Sequence, residues 1–293
     1  MDSFRRLLCA TDFSEHAGIA ARRAATVAAA QRAELHLLHV LSEPALRTLM
    51  ALFPGSADAE LRLTEDARRM LEAEAMRLRE AVGGVAVTTR LGNGDPDDEI
   101  LAATESADLL VLGAHGQNPL RDMVIGSTAE RLLRKASRPV LVSRAAPEPP
   151  YRRVLVPIDF TGHSAGAMRA AAAIAPDAEL TALHVFELPF EGKLWLAGVS
   201  DDEVYRFRAQ ARAQALKRVL ELAADLGEAG SRFRPQVVQG SAARSVLETA
   251  EEIDADLIVM GRHGKSAAEA FFIGSVTRHV LSDAACDVLV MPA

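Results

Sequence analysis

Short aliphatic runs, with little in-and-out alternation, punctuate this chain at regular intervals. Arg6 to Thr11 (RLLCAT), Glu34 to Val40 (ELHLLHV), Leu109 to Gly113 (LLVLG) and PVLVS at 139–143 are runs of this kind. Strands covered on both faces read this way, whereas a half-exposed strand alternates. Between the runs lie stretches with helical spacing: an Ala-rich segment after the first, a long amphipathic one over roughly 58–82 after the second, and DDEILAATESA (97–107) after a third strand that ends at Gly92. Strand and helix alternate throughout, which predicts parallel strands joined by right-handed crossovers, with helices on both faces.

The same order then starts again. RRLLCATDFSEHA (5–17) aligns with RRVLVPIDFTGHS (152–164), ELHLLHV (34–40) with ELTALHV (179–185), ADLLVLGAHG (107–116) with ADLIVMGRHG (255–264), and ASRPVLVSR (136–144) with ACDVLVMPA (285–293). The offsets are 147, 145, 148 and 149 residues, a drift that small loop insertions produce. The second copy has strands at Arg153 to Ile158, at 179–185, before Gly240, at LIVMG and at VLVMP. Its long helix, roughly 200–227, opens with Ser200-Asp201-Asp202-Glu203, a capping-box pattern. The Pro-rich AAPEPPY (145–151) reads as a linker. The expectation is two tandem doubly wound, Rossmann-like α/β domains, 1–145 and 151–293, each with a five-stranded parallel sheet flanked by helices. In such sheets ligands bind beyond the carboxyl ends of the strands, at the switch point.

Composition narrows the function classes. The net charge is −7 over 293 residues, and Lys and Arg alternate with Asp and Glu along the helices, so no basic face points to nucleic acid. The two cysteines, Cys9 and Cys286, have no Cys or His neighbour at metal-ligand spacing and read as small buried hydrophobes of a reducing cytoplasm. No apolar run approaches the length of a membrane span or a secretory core, so a cytoplasmic protein is expected.

The candidate chemistry sits after the fourth strand of each copy. GAHGQNPLRDMVIGS (113–127) and GRHGKSAAEAFFIGS (261–275) share Gly113/Gly261, His115/His263, Gly116/Gly264, Gly126/Gly274 and Ser127/Ser275, while most positions between have diverged. The spacing is G-x2-G-x9-G-S in both. Glycines at a sheet's carboxyl edge admit an anion close to backbone N–H groups, and a Gly-Ser opening a helix adds free N–H groups, a dipole and a hydroxyl. On this reading phosphate rests on the N–H groups of Gly126 and Gly274. The plainer reading is that the glycines only turn the chain and the serines only cap helices. His115 and His263 either donate to phosphate or are solvated turn residues. Asp12 and Asp159, at the ends of the first strands, either accept from a ribose hydroxyl or cap the next helix. His39 and His184 read as strand-end structural residues. GRHGKS is not a P-loop, because that motif needs Gly where Val259 stands. GNGD (92–95) lacks the third glycine of a dinucleotide loop.

With these residues in hand, the chain resembles the universal stress protein family in its tandem form. The resemblance rests on the glycine element, the Asp after the first strand and the Leu-His-Val ending the second. It implies a strand order like 3-2-1-4-5 and ATP as ligand. Gly113, Gly116, Gly126 and Ser127, with Gly261, Gly264, Gly274 and Ser275, would hold phosphates and ribose. Asp12 and Asp159 would lie by ribose and adenine, and Val40 and Val185 would present backbone to adenine. Ala10 departs from the proline that the family often has there and that Pro157 supplies in the second copy. The leading expectation is an ATP-binding regulator of stress adaptation acting on an unknown regulatory protein partner. A slow ATPase or autokinase, or a scaffold with vestigial turns, are the alternatives. Bunched phosphate charge would bring Mg2+. Arg262 and Lys265 beside the glycines predict tighter binding in the second copy. The two copies are expected to pack as an internal pseudo-dimer, with a homodimer of whole chains left open.

Overall fold

A computed structural model describes residues 3–52, 57–115, 126–144, 150–188, 200–264 and 272–292. It divides into two compact units, Ser3–Pro150 with Ala285–Pro292, and Tyr151–Ala284.

The first unit runs β1 (Arg6–Ala10), α1 (Glu15–Gln31), β2 (Glu34–Ser42), α2 (Glu43–Leu52), α3 (Ala57–Ala81), β3 (Ala86–Gly94), α4 (Pro96–Thr104), β4 (Leu109–Gly113), α5 (Ser127–Lys135) and β5 (Val140–Ser143). These five strands are parallel in the order β3-β2-β1-β4-β5, with Leu7 opposite both Leu35 and Leu109. The aliphatic runs are buried as their continuity predicts; Leu7, Cys9, Leu109, Leu110 and Val111 have no exposed surface. Burial pushes the Cys9 thiol up to about 12, consistent with an inert core residue. α1 can lie close on the sheet because its buried face is nearly all alanine: Ala17, Ala20, Ala21, Ala24, Ala25 and Ala28. It starts at the Ser14 cap and stops where Arg32 turns left-handed at φ 53°. α2 is a helix that the repeat alignment does not reveal.

The second unit contains β6 (Arg153–Pro157), α6 (Gly162–Ile174), β7 (Glu179–Phe186), α7 (Asp201–Asp225), α8 (Glu228–Ser231), β8 (Phe233–Gln239), α9 (Ala242–Glu252), β9 (Leu257–Gly261) and α10 (Ser275–Asp283). Its parallel order, β9-β6-β7-β8, repeats that of β4-β1-β2-β3. The expected capping box is formed at α7: Ser200 Oγ accepts from Glu203 N, and the Glu203 carboxylate accepts from Ser200 N at 2.9 Å.

β10 (Asp287–Met291) keeps the fifth place of the repeated strand order and adds a pairing of its own. By chain position it is the last strand of the second copy, yet it groups with the first unit and pairs antiparallel with β5, Leu289 opposite Leu141. Asp287, fully buried, anchors it: Oδ1 accepts from Arg144 N at 2.8 Å and Oδ2 lies 2.8 Å from Arg23 Nε.

In both units the first strand has neighbours on either side that the chain visits in opposite directions, β2 and β4 around β1, β7 and β9 around β6. That is the switch point, and the carboxyl ends of β1 and β4, or β6 and β9, open there.

Candidate functional site

At the end of β1 the chain must leave the sheet and start α1 within a few residues. Thr11 N still bonds to Leu38 O at 2.9 Å. Asp12 then folds an Asx turn, Oδ1 accepting from Ser14 N at 3.0 Å, around Phe13 at φ 63°. Asp159 does the same work after β6 more heavily: its Oδ1 accepts from Thr161 N at 3.0 Å, Thr161 Oγ1 at 2.6 Å and Ser164 Oγ at 2.9 Å. Both aspartates therefore carry a local turn role. His39 and His184 brace the same turns. Their Nδ1 atoms lie 2.7 Å from Thr11 O and 2.8 Å from Ile158 O, and their rings pack on Phe13 and Phe160 at 4.3 Å between centroids.

Gly113 ends β4 where α1 passes. A Cβ there would come within 2.9 Å of the His16 carbonyl carbon and oxygen, so helix packing alone demands glycine. Gly126 and Gly274 also have an internal task. Gly126 N donates to Ala114 O and Gly274 N to Arg262 O, both at 2.9 Å, closing the turn on itself. This corrects the expectation that phosphate rests on those two N–H groups. Each glycine is instead the N-cap of the following helix, α5 or α10, and supplies no capping side chain. The donors left for a ligand belong to the next residues, Ser127 to Ala129 and Ser275 to Thr277.

Those first turns border a cavity in each unit. The first encloses about 570 Å³, and its wall includes Ala10, Asp12, Val40, Gly113, His115, Gly126 and Ser127. The second encloses about 260 Å³, with Pro157, Asp159, Val185, Gly261, His263, Gly264, Gly274 and Ser275 in its wall. Every described site residue anticipated from sequence thus lies on one of two cavities; Gly116 falls outside the described residues. The apolar side of each cavity was not anticipated: Leu38 and Ile100 in the first, Leu183 and Val246 in the second. The repeat alignment held the signal, since Ile100 and Val246 are both aliphatic one turn into the helix after the third strand.

The histidines differ between the copies. His115 is half-buried and meets His16 edge-on, 5.0 Å between centroids. His263 is only 8% exposed, and its Nε2 is buried with no hydrogen-bond partner among the described residues. Its pKa is held below the usual histidine value, first by burial, then by the charge of Arg262 and by electrostatic interaction with His163.

Arg262 does not play the part its position suggests. It is 7% exposed, lends its carbonyl to Gly274, and its side chain is absent from the cavity wall. Burial lowers its pKa. Lys265 lies outside the described residues. The charge contrast between the sites comes instead from the helix after the third strand. α4 opens with Asp97, Asp98 and Glu99 behind the Asp95 cap, and its Pro96 touches the cavity. Asp97 is ion-paired to Arg131, and Glu99 to Arg90 at 3.4 Å. α9 has no acidic residue in its first turn and carries Arg244 there.

No helix among the described residues is long and apolar enough to cross a membrane. Among the same residues, no group of three or more His, Cys, Asp or Glu side chains is arranged to hold a metal ion.

The chain is similar to known proteins over nearly its whole length. A universal stress protein of Methanocaldococcus jannaschii is 30% identical over 154 residues, 47% of this chain and 94% of that protein. A universal stress protein of Mycolicibacterium smegmatis is 26% identical over 297 residues, 97% of this chain and 96% of that one. Among solved structures, a universal stress protein from Archaeoglobus fulgidus superposes with a TM-score of 0.70 at 20% identity, covering 98% of each chain, which establishes the shared fold. The family model for universal stress proteins matches twice, over residues 3–144 and 150–292, and the chain belongs to the universal stress protein family as a tandem of two such domains.

Proposed function

We propose that each unit binds ATP at the carboxyl edge of its sheet and that the protein acts as a nucleotide-responsive regulator in stress adaptation. The observation that carries this reading is the two-sided character of both cavities. One side is aliphatic, with Leu38, Val40 and Ile100 or Leu183, Val185 and Val246, and suits a flat base. The other is the opening turn of α5 or α10, which has N–H donors, the positive end of a helix dipole and no capping side chain, and suits phosphate. The first cavity lies within the usual range for small-molecule sites, and the second just below it.

The residues fit the ligand with defined tasks. Asp12 and Asp159 line the cavities with one carboxylate oxygen engaged in the Asx turn, so the carboxylate is held rigidly where a ribose hydroxyl can donate to it. Val40 and Val185, near the end of the second strand of each unit, would offer backbone to the base. Ser127 and Ser275 add hydroxyls at the helix N1 positions. Mg2+ would enter with the phosphates and keep most of its ligands as phosphate oxygens and water, since it tolerates few protein ligands.

The test is the nucleotide content of the freshly purified protein by mass spectrometry, followed by titration of the stripped protein with ATP, with and without EDTA. ATP in the preparation and saturable, Mg2+-dependent binding are expected. Absence of both would leave the fold a scaffold with vestigial turns.

A further inference from the structure

The two cavities are not equivalent at the turn that meets the phosphate side. In the second, His263 is walled in while its Nε2 lacks any hydrogen-bond partner among the described residues. A buried polar nitrogen left unmade costs stability, and a site tolerates that cost when a ligand completes it. The wall around it is built for an anion, with Gly264 on one side and the uncapped α10 N-terminus on the other. In the first, His115 is half-buried, with the His16 ring against it.

Resting on the reading of these cavities as ATP sites, we propose that the second site is proton-coupled: a phosphate-bearing ligand binds there together with one proton taken up on His263. The first site lacks this coupling or shows it far more weakly.

The groups facing His263 set the direction. Arg262 precedes it in the turn, and His163 comes from the first turn of α6; both disfavour a second positive charge. Asp159, from the β6–α6 connection, sits beside Gly264, where a Cβ would lie 3.0 Å from Oδ2; its Oδ1 is committed to Thr161 and Ser164. Without ligand, burial and then the Arg262 charge keep the imidazole neutral at pH 7. Incoming phosphate brings two or more negative charges against a poorly solvated ring, which reverses the balance and favours imidazolium. By linkage, affinity at this site then rises as pH falls, by at most about tenfold per pH unit for one proton.

The experiment is calorimetric titration of the full chain with MgATP, in buffers of different ionisation enthalpy, between pH 6 and 8. The wild type should take up more protons per chain than His263→Gln titrated identically, which also corrects for protonation of ATP itself. The His263→Gln chain should keep its circular dichroism spectrum and lose the steeper pH dependence. His163→Gln is the second variant: removing a neighbour that opposes protonation of His263 should shift the pH dependence of proton uptake upward without abolishing it. Equal proton uptake in the wild type and His263→Gln, with ATP still bound, overturns this inference and leaves the proposed function standing. No ATP binding in the wild type overturns both.

Discussion

Arg23 Nε lies 2.8 Å from Asp287 Oδ2, and neither side chain is more than 3% exposed. One residue sits on the alanine helix near the start of the chain, the other at the head of the last strand. Asp287 also accepts from Arg144 N, so one buried carboxylate joins α1, the end of β5 and β10. Removing it takes the carboxylate away from a buried guanidinium and from the Arg144 backbone N–H. Asp287→Ala should cost about 3–5 kcal/mol in denaturant unfolding. A loss under 1 kcal/mol would mean that the pair is dispensable and that β10 is held by its aliphatic face alone.

The glycines of the turn separate into two kinds, and alanine scanning should tell them apart. At Gly113 a methyl meets His16 backbone at 2.9 Å, so Gly113→Ala should destabilise the ligand-free protein by about 1–3 kcal/mol. At Gly274 the nearest atoms are Arg262 O at 3.4 Å and His263 Cα at 3.5 Å, ordinary contact distances. Gly274→Ala should therefore keep its stability and lose ATP affinity through crowding of the bound phosphate. The comparison needs thermal melts and ATP titrations of both variants; reversed outcomes would assign the two glycines the wrong way round.

Much of this was legible in the sequence for reasons that can be named. Aliphatic runs such as Leu109–Leu112 specify strands covered on both faces, and the repeat specifies the crossover order, because each connection has one favoured hand. The chain identity of the site was legible too: Asp12, Val40, Gly113 and Ser127 come together because all sit at the carboxyl edge. Direction was not legible. Gly126 and Gly274 sit where the spacing puts them, but whether an N–H faces a ligand or the chain's own carbonyl depends on the path of the turn. Arg262 is visible as a charge next to a glycine, yet its side chain leaves the cavity. The pairing of β10 was also hidden. DVLVM shows that a strand forms but not that it runs antiparallel to β5, and the Asp287 contacts with Arg23 and Arg144 N join residues far apart in sequence.

His263 makes stability depend on pH in a definite sense. Its pKa in the folded protein is held below the ordinary 6.5. As pH falls past that value the unfolded chain takes up a proton that the folded chain refuses, so stability present above pH 6.5 is lost on the way down to the folded pKa. His263→Gln should flatten the urea-unfolding free energy between pH 7.5 and 5.5 relative to the wild type. Identical slopes would show that the ring titrates normally in the fold.

The second site should bind ATP more tightly than the first, because of the helix after the third strand. α4 brings Asp95, Asp97, Asp98 and Glu99 towards the first cavity, partly offset by Arg131 and Arg90, whereas the first turn of α9 has no acidic residue and its Arg244 is paired with Glu248. Charges near ~10 Å in water-like surroundings contribute roughly 0.4 kcal/mol each, so a difference of about three- to fivefold is expected. It should fade as salt rises. Single Gly126→Val and Gly274→Val variants, each leaving one site, check this at low and high salt. Tighter binding by the chain that keeps only the first site would contradict it.

On the proposed function, both units carry a working nucleotide site. Equilibrium dialysis of the full chain, stripped of nucleotide, against radiolabelled ATP with excess Mg2+ tests it most directly. Saturation near two nucleotides per chain is expected, falling to one in either single valine variant. Saturation at one in the wild type, or no saturable binding, would contradict it.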